Sequence, residues 1–319
     1  MKDNSDLVSI TPIFKYIGGK RWLANELKSL IANSEFDVYS EPFAGGLGSF
    51  TSVVGLLIEK GIERVELNDL NSSIVGTYQD AIKNSDDLIF ELERIYNGYC
   101  DAVGDFEHFK ELKKTKDKEA IRAYLSNAQS YFLGLRDSFN TLKRDKPSLL
   151  LSAHFITIQM LSFNGVYREN RAGDFNVGFC WEGKRYLPNL IERIKAFNGL
   201  NDLIDISLTN LDFRDIEYRQ DRLYYLDPPY IEFNANNSKN NYNSNSFQLS
   251  DQEELIRDMA GFNFIYSNHN HSQITDFFDK YHKDDYISKV INRTNRISSK
   301  ASGRGDLIEE ILVHKKRAN

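Results

Sequence analysis

Long apolar runs are missing from these 319 residues. None approaches the roughly 20 apolar residues that a membrane-spanning helix needs, so no membrane partner is expected. The opening stretch, MKDNSDLVSITP, lacks the apolar core of a secretory signal. Cysteine is scarce. Cys100 and Cys180 stand far apart with no metal-ligand spacing, and the expectation is two unbridged buried thiols in a reducing cytoplasm. An excess of positive charge is missing too: the net charge is −6. Whole-chain charge is a blunt measure of nucleic-acid binding, because local distribution decides. Residues 288–305, SKVINRTNRISSKASGRG, carry Lys289, Arg293, Arg296, Lys300 and Arg304 with no acid, and LKRDK at 142–146 adds a smaller cluster. One such cluster alone reads as a solvated face. Two of them, with the motifs below, suit a surface that tracks phosphates. Proline is rare as well. There are six, and two of them are adjacent.

What is present alternates. FDVYSEPFAGGLGSF (36–50) reads as a strand, a glycine turn and the start of a helix that continues through TSVVGLLIEKG and stops at Gly61. RVELNDLN (64–71) reads as a second strand ending at Asp69, and LYYLDPPY (223–230) as a third. FNFIYSNH (262–269), DYISKVI (285–291) and EEILVHK (309–315) read as further strands, with DQEELIRDMAG and SQITDFFDKY as helices. Strands alternating with helices predict an α/β domain with a mainly parallel sheet. Residues 83–184 break the rhythm with helix formers and charges, then close in HFITIQMLSFNGVYRENRAGDFNVGF. That segment predicts a mostly helical insertion ending in a hairpin-like element. The predicted organisation is a discontinuous domain, 1–82 with 185–319, and an insertion, 83–184.

Gly45, Gly46 and Gly48 in EPFAGGLGSF fall between a strand and a helix. Glycine there lets the backbone turn sharply and approach a ligand. Asp69, at the end of the next strand, stands where an acid would bond a ribose hydroxyl. A nucleoside-containing ligand fits, although glycine-rich turns also occur for purely structural reasons. Glu41 and the bulky Phe43 precede the glycines. Glu41 is expected to face a cationic group such as a sulfonium with its ammonium tail. That favours S-adenosyl-L-methionine over a dinucleotide, whose phosphates want an unobstructed helix N-terminus.

Asp227-Pro228-Pro229-Tyr230 is the rarest feature. By composition alone, Asp-Pro-Pro-aromatic is expected on the order of once in a thousand such chains. Its chemistry suits an aromatic amine such as adenine N6, a poor nucleophile whose lone pair is delocalised into the ring. Two acceptors, the Asp227 carboxylate and the Pro228 carbonyl, can hold both amine hydrogens and steer the lone pair toward an electrophilic methyl. Proline has no N–H and a fixed φ, so the turn is stiff and presents carbonyls. Tyr230 can stack on the base, and reaching N6 in a duplex requires flipping the nucleotide out. The plain alternative is a rigid loop without chemistry.

These motifs together resemble the Dam-type, D12-class DNA adenine-N6 methyltransferases, over residues 14–315. FKYIGGKRWL (14–23) resembles the family's N-terminal K-W/Y-x-G-G-K segment, which implies cofactor roles for Tyr16 and Lys20. EPFAGGLGSF resembles its E-P-F-x-G-x-G loop, implying Glu41, Phe43 and Gly45 at the cofactor, and NDLNSSI its D-x-N segment, with Asp69 on the ribose. LDPPY resembles the catalytic motif, whose Asp also lies near the cofactor. YFLGLRDSFN resembles an R-x-x-F-N segment whose arginine, here Arg136, contacts DNA. SFNGVYRENRAGDFNVGF resembles the recognition hairpin, and ISSKASGRGDLIEEILVHK the segment that ends the fold. The resemblance implies a Rossmann-like S-adenosyl-L-methionine-dependent sheet with an inserted helical target-recognition domain. It also implies duplex DNA as partner and GATC, or another GAT-containing site, as target. Gly178 stands where the family pattern has Pro, and Arg171 and Ala172 depart from its basic spacing.

In the hairpin, Asn164, Arg168 and Asn176 carry groups that read base edges bidentately. Phe163, Val166 and Tyr167 are candidates to wedge or stack at the vacated site. A plain β-hairpin is the other reading of the same residues. His269 and His271 in SNHNHS lack acidic or cysteine partners, so no metal is expected, and a sulfonium is already an activated leaving group. The Asn-rich segment 234–245 is expected either to order over the active site or to be only a surface loop. A monomer is expected, with a dimer on DNA as the alternative. Cytosine-N4 enzymes usually open the motif with Ser, and glutamine or RNA enzymes with Asn, so Asp227 speaks against both. A silent DNA-binding relative would not need Asp227, Tyr230, Lys20 and Asp69 together. A dehydrogenase would not explain the Asp-Pro-Pro-Tyr turn.

Overall fold

A computed structural model describes residues 10–16, 18–145, 147–183, 186–231, 247–294 and 307–316. The Asn-rich segment and the Arg296, Lys300 and Arg304 part of the basic stretch lie outside them. The architecture is a mixed α/β fold on a seven-stranded sheet of order β3-β2-β1-β4-β5-β7-β6. Strands β1 (Val38–Glu41), β2 (Arg64–Asn68), β3 (Asp205–Thr209), β4 (Arg222–Leu226) and β5 (Asn263–His269) run parallel. Strands β6 (Tyr286–Thr294) and β7 (Leu307–Lys315) close one edge antiparallel.

Strands β1 and β4 are buried along their whole length, as central parallel strands with both faces covered must be. Alternate residues divide between two cores. Leu223 and Tyr225 join the larger one, whereas Tyr224 and Leu226 face the smaller one under α10 (Leu249–Asp258) and α11 (Ser272–Tyr281). That is the period-two geometry of a strand. From β1 the chain builds outward to β2 and β3, then returns to lay β4 and β5 on the other side of β1. The strand order therefore reverses between β1 and β4, the place where open α/β sheets bind ligands.

Strand β3, DISLT, was not among the expected strands. It lies at the sheet edge with only Ile206 buried, so it lacks the apolar run that marks a central strand. The helices α1 (Ala24–Ala32), α2 (Gly48–Glu59) and α3 (Ser72–Lys83) follow the N-terminal segment and the first two strands. Gly61 is left-handed just after α2, as expected of a helix stop. The segment that breaks the rhythm contains α4 (Ser85–Val103), α5 (Phe106–Lys114), α6 (Lys118–Tyr124), α7 (Ser126–Leu142) and α8 (Leu149–Leu161). Helix α8 is buried on nearly every side, between α3, α4 and α7, which explains its almost unbroken apolar sequence. Helix α9 (Leu187–Leu200), beyond the helical segment, packs against both α3 and α4.

Candidate active site and recognition element

The carboxyl ends of β1, β2, β4 and β5 converge on one crevice. The glycine turn after β1 is pinned from two sides. Asp69 accepts from Gly45 N–H through Oδ2 and from Asn71 N–H through Oδ1, both at 2.8 Å. From above, Tyr16 packs onto the turn. A Cβ on Gly45 would stand 3.2 Å from the Tyr16 ring, and one on Gly46 would collide with the Tyr16 Cβ. The glycines thus admit a neighbouring side chain as well as any ligand. Burial raises the pKa of Asp69, and the two N–H donors oppose that rise.

Lys20 is 3% exposed and joins this segment to the end of β4. Its Nζ lies 2.8 and 2.9 Å from the two carboxylate oxygens of Asp227, and donates to the Gly18 carbonyl at 2.8 Å. Ser267 of β5 donates to Asp227 Oδ1 at 3.1 Å. Burial pushes the Asp227 pKa up, while Lys20 and Ser267 pull it back. The same Lys20 ammonium sits 4.4 Å from the centre of the Tyr230 ring. Pro228 is buried and Pro229 exposed, and the Pro229 carbonyl accepts from Gln252 of α10 at 3.2 Å. Tyr230 donates to Glu310 Oε2 at 2.9 Å and meets the His269 ring edge-on at 4.5 Å. Phe43 lies on the other flank of the glycine turn, in a cluster with Phe213 and Phe247 at 5.6–5.7 Å.

Glu41, expected at the cofactor, is turned inward. It is 0% exposed, and its oxygens accept from Tyr39 and Ser49 hydroxyls at 2.8 and 2.7 Å. Burial lifts its pKa to about 8, so near neutrality it is largely protonated and supplies little of the charge that a sulfonium would seek. His271 caps α11 by accepting from Gln273 N–H, and among the described residues no cluster of three or more His, Cys, Asp or Glu is placed to hold a metal. None of the described helices is long and apolar enough to cross a membrane.

Residues 16–301 match the family model of the D12 class N6 adenine-specific DNA methyltransferases. The chain belongs to this family. It is an adenine-specific DNA methyltransferase. It is 26% identical to the type II methyltransferase M.MjaIII of Methanocaldococcus jannaschii, over 96% of this chain and 99% of that protein. It is equally similar to M1.LlaDCHI, a type II methyltransferase of Lactococcus lactis subsp. cremoris, over 96% of both. The DNA adenine methylase of Serratia marcescens is 25% identical over 76% of this chain and 74% of its own length.

The methyltransferase's residues 162–179 form an irregular hairpin held by two isolated bridges, Ser162 with Phe179 and Glu169 with Phe175. At its start, Phe163 is 59% exposed, and Asn164 is exposed in a left-handed turn at φ 58°. Val166 is half-buried. Across the hairpin, Arg168 Nε donates to Asn176 Oδ1 at 2.8 Å, so two predicted base readers form one unit. Arg136 lies on α7, four residues before Asn140, and therefore on the same helix face. Asn140 was not singled out from the sequence, although it closes the R-x-x-F-N segment. Its side chain donates to the Phe175 carbonyl at 3.1 Å and accepts from Phe175 N–H at 2.8 Å, fastening the hairpin to α7. Lys143 adds a second fastening through Glu169 and the Gly173 carbonyl. Tyr167 is packed between Phe155 and Phe175, and its hydroxyl donates to Glu169.

Proposed function

We propose that this enzyme transfers the methyl group of S-adenosyl-L-methionine to N6 of an adenine flipped out of duplex DNA, within GATC or a related GAT-containing site. The observation that carries the reading is the convergence of Lys20, Asp227 and Tyr230 beside the glycine turn and Asp69, at the reversal point of the sheet.

The residues present fit the cofactor. Each Asp69 oxygen accepts one backbone N–H and keeps lone pairs for a ribose diol. Tyr16, Phe43 and Gly45 line the approach to it. When bound, S-adenosyl-L-methionine supplies an electrophilic methyl on a sulfonium. The protein must then hold the amine. Lys20 opposes the rise that burial gives the Asp227 pKa and so favours the ionised carboxylate, which is an acceptor only. Asp227 and the Pro228 carbonyl accept hydrogen bonds from the two N6–H groups, and the stiffness of Pro228-Pro229 fixes the spacing of these acceptors. Tyr230 offers its ring to the base.

In this reading residues 83–184 form the target-recognition unit, inserted between 1–82 and 185–319. Arg168 with Asn176, and Asn164, read base edges. Phe163 and Val166 fill the gap left by the flipped nucleotide, and Arg136 holds a phosphate. The relatives named type II methyltransferases support a restriction-modification role, and the cytoplasm is the proposed location. Sequencing modified bases in DNA from cells expressing the protein tests all of this together. N6-methyladenine at one GAT-containing site is expected. Its absence in the presence of folded protein would overturn the reading, and methylation at an unrelated motif would overturn the target.

A further inference from the structure

Tyr230 is held at three points. Its hydroxyl donates to Glu310 Oε2 at 2.9 Å, its ring meets His269 edge-on at 4.5 Å, and Lys20 Nζ lies 4.4 Å from the ring centre. The first contact is the unexpected one. Glu310 comes from β7, 80 residues further along the chain, and is 2% exposed. It pairs in register with His269 of β5, so one rung of the antiparallel ladder carries two of the three contacts. Stacking alone does not require a phenol, because a phenylalanine presents the same face. Burying a carboxylate is costly unless it is engaged by donors. A buried acid aimed at this hydroxyl is accounted for if the orientation of the ring matters. Two rotatable bonds separate the Tyr230 ring from a backbone that two prolines have already stiffened. A hydrogen bond at the far end of the ring fixes where the ring points and, because a phenol O–H prefers the ring plane, restrains its rotation.

We propose that Glu310 is a positioning residue: it anchors the Tyr230 phenol so that the ring plane is set before the target adenine arrives. This rests on the reading of Tyr230 as the stacking face. Glu310 itself touches no reacting atom. Its effect is on the fraction of flipped bases that are stacked, and so on kcat more than on duplex affinity. A charge-assisted hydrogen bond is worth enough to change that fraction about 10- to 100-fold.

The test uses full-length protein and a duplex bearing the site methylated by the wild type, with 2-aminopurine at the target adenine for the optical readout. Glu310→Met is expected to lower kcat about 10- to 100-fold, leave the duplex Kd within about threefold, and raise 2-aminopurine emission because the flipped base is less stacked. Glu310→Gln keeps an acceptor but loses the charge, and is expected to fall between wild type and Glu310→Met in kcat and emission, with the duplex Kd within about threefold of wild type. Tyr230→Phe removes the phenol without touching Glu310, and is expected to reproduce the loss in kcat and the rise in emission. The double variant Tyr230→Phe, Glu310→Met should be no worse than the poorer single one. A Glu310→Met enzyme with wild-type kcat and emission would overturn the inference. If that variant does not fold, wild-type kcat and emission in Tyr230→Phe overturn it equally. Tyr230→Ala separates the two levels. Full activity there sinks the stacking role of Tyr230 itself, whereas a crippled Tyr230→Ala beside a fully active Glu310→Met sinks only the anchor.

Discussion

The reacting pocket and the recognition hairpin follow opposite plans. The pocket hangs from the ends of central buried strands, and its polar groups are bonded to one another before any ligand arrives: Lys20 to Asp227, Ser267 to Asp227, Tyr230 to Glu310. The hairpin has two isolated bridges, an exposed Phe163 and an exposed Arg168. Its order comes from lateral fastening to α7 through Asn140 and Lys143. Methylating N6 demands one geometry whatever the flanking bases, so that geometry is built into the sheet. On the proposed reading, a duplex is read by side chains that reach outward, so they are carried on a strap and anchored from behind.

If the two plans are separable, the largest effect comes from breaking the pocket alone. Asp227→Ala is expected to reduce methylation by about a thousandfold or more, while sequence-specific binding measured by gel shift stays largely intact. Full activity would remove Asp227 from the chemistry. Lost binding would show that pocket and hairpin are one cooperative unit.

The pocket's buried acid gives the second test. The pKa of Glu41 is raised from 4.5 to about 8. The folded state therefore holds a proton that the unfolded chain releases. Stabilisation from that proton is complete below pH 4.5 and is lost as pH rises through 8. Glu41→Gln mimics the protonated form at every pH. Between those limits its stability relative to wild type should improve by on the order of a few kcal/mol as pH rises. Thermal unfolding of both proteins across that range measures it. A constant difference would mean that Glu41 ionises normally.

These particulars show what the sequence discloses. Asp227, Tyr230, Lys20, the glycine turn and Asp69 were legible because each belongs to a short local motif, and all but Lys20 stand at a strand end. Strand β3 was not, because an edge strand of mostly polar residues carries little pattern. The inward direction of Glu41 was not legible, because it depends on Tyr39 and Ser49, which sequence spacing does not weigh. Glu310 left a faint signal. In EEILVHK, strand alternation must bury one of two adjacent acids; Glu309 is exposed and Glu310 is buried. Which one faces the pocket is a matter of register with β5. The inward packing of Tyr167 was not legible, because an aromatic ring in a recognition motif and one in a small local core look alike in one dimension.

On the hairpin side the expected losses are smaller and differ in kind. Arg168→Ala is expected to weaken specific binding about 10- to 100-fold and to relax preference at one base position. Asn176→Ala should act on the same position, because the two side chains form one unit, and the double variant should fall short of additive. Selection from randomised duplexes reads out both. An unchanged profile would remove Arg168 from the reading surface and leave a plain hairpin.

The smallest effect is the one that completes the comparison. Arg136 shares a face of α7 with Asn140, the residue that fastens the hairpin, so it lies behind the reading surface and not within it. Its side chain is about one quarter exposed, and its pairing with Asp137 at 3.8 Å is loose. A partly exposed pair of this kind adds little to stability, so Arg136→Ala should fold as well as wild type. A guanidinium so placed serves a phosphate better than a base edge. Its removal should raise Kd a few-fold for every sequence alike, and lower the slope of log Kd against log salt by about one. A change confined to one target sequence would move Arg136 from the backbone to the bases. It would also show that the readout extends from the strap to the helix that holds it.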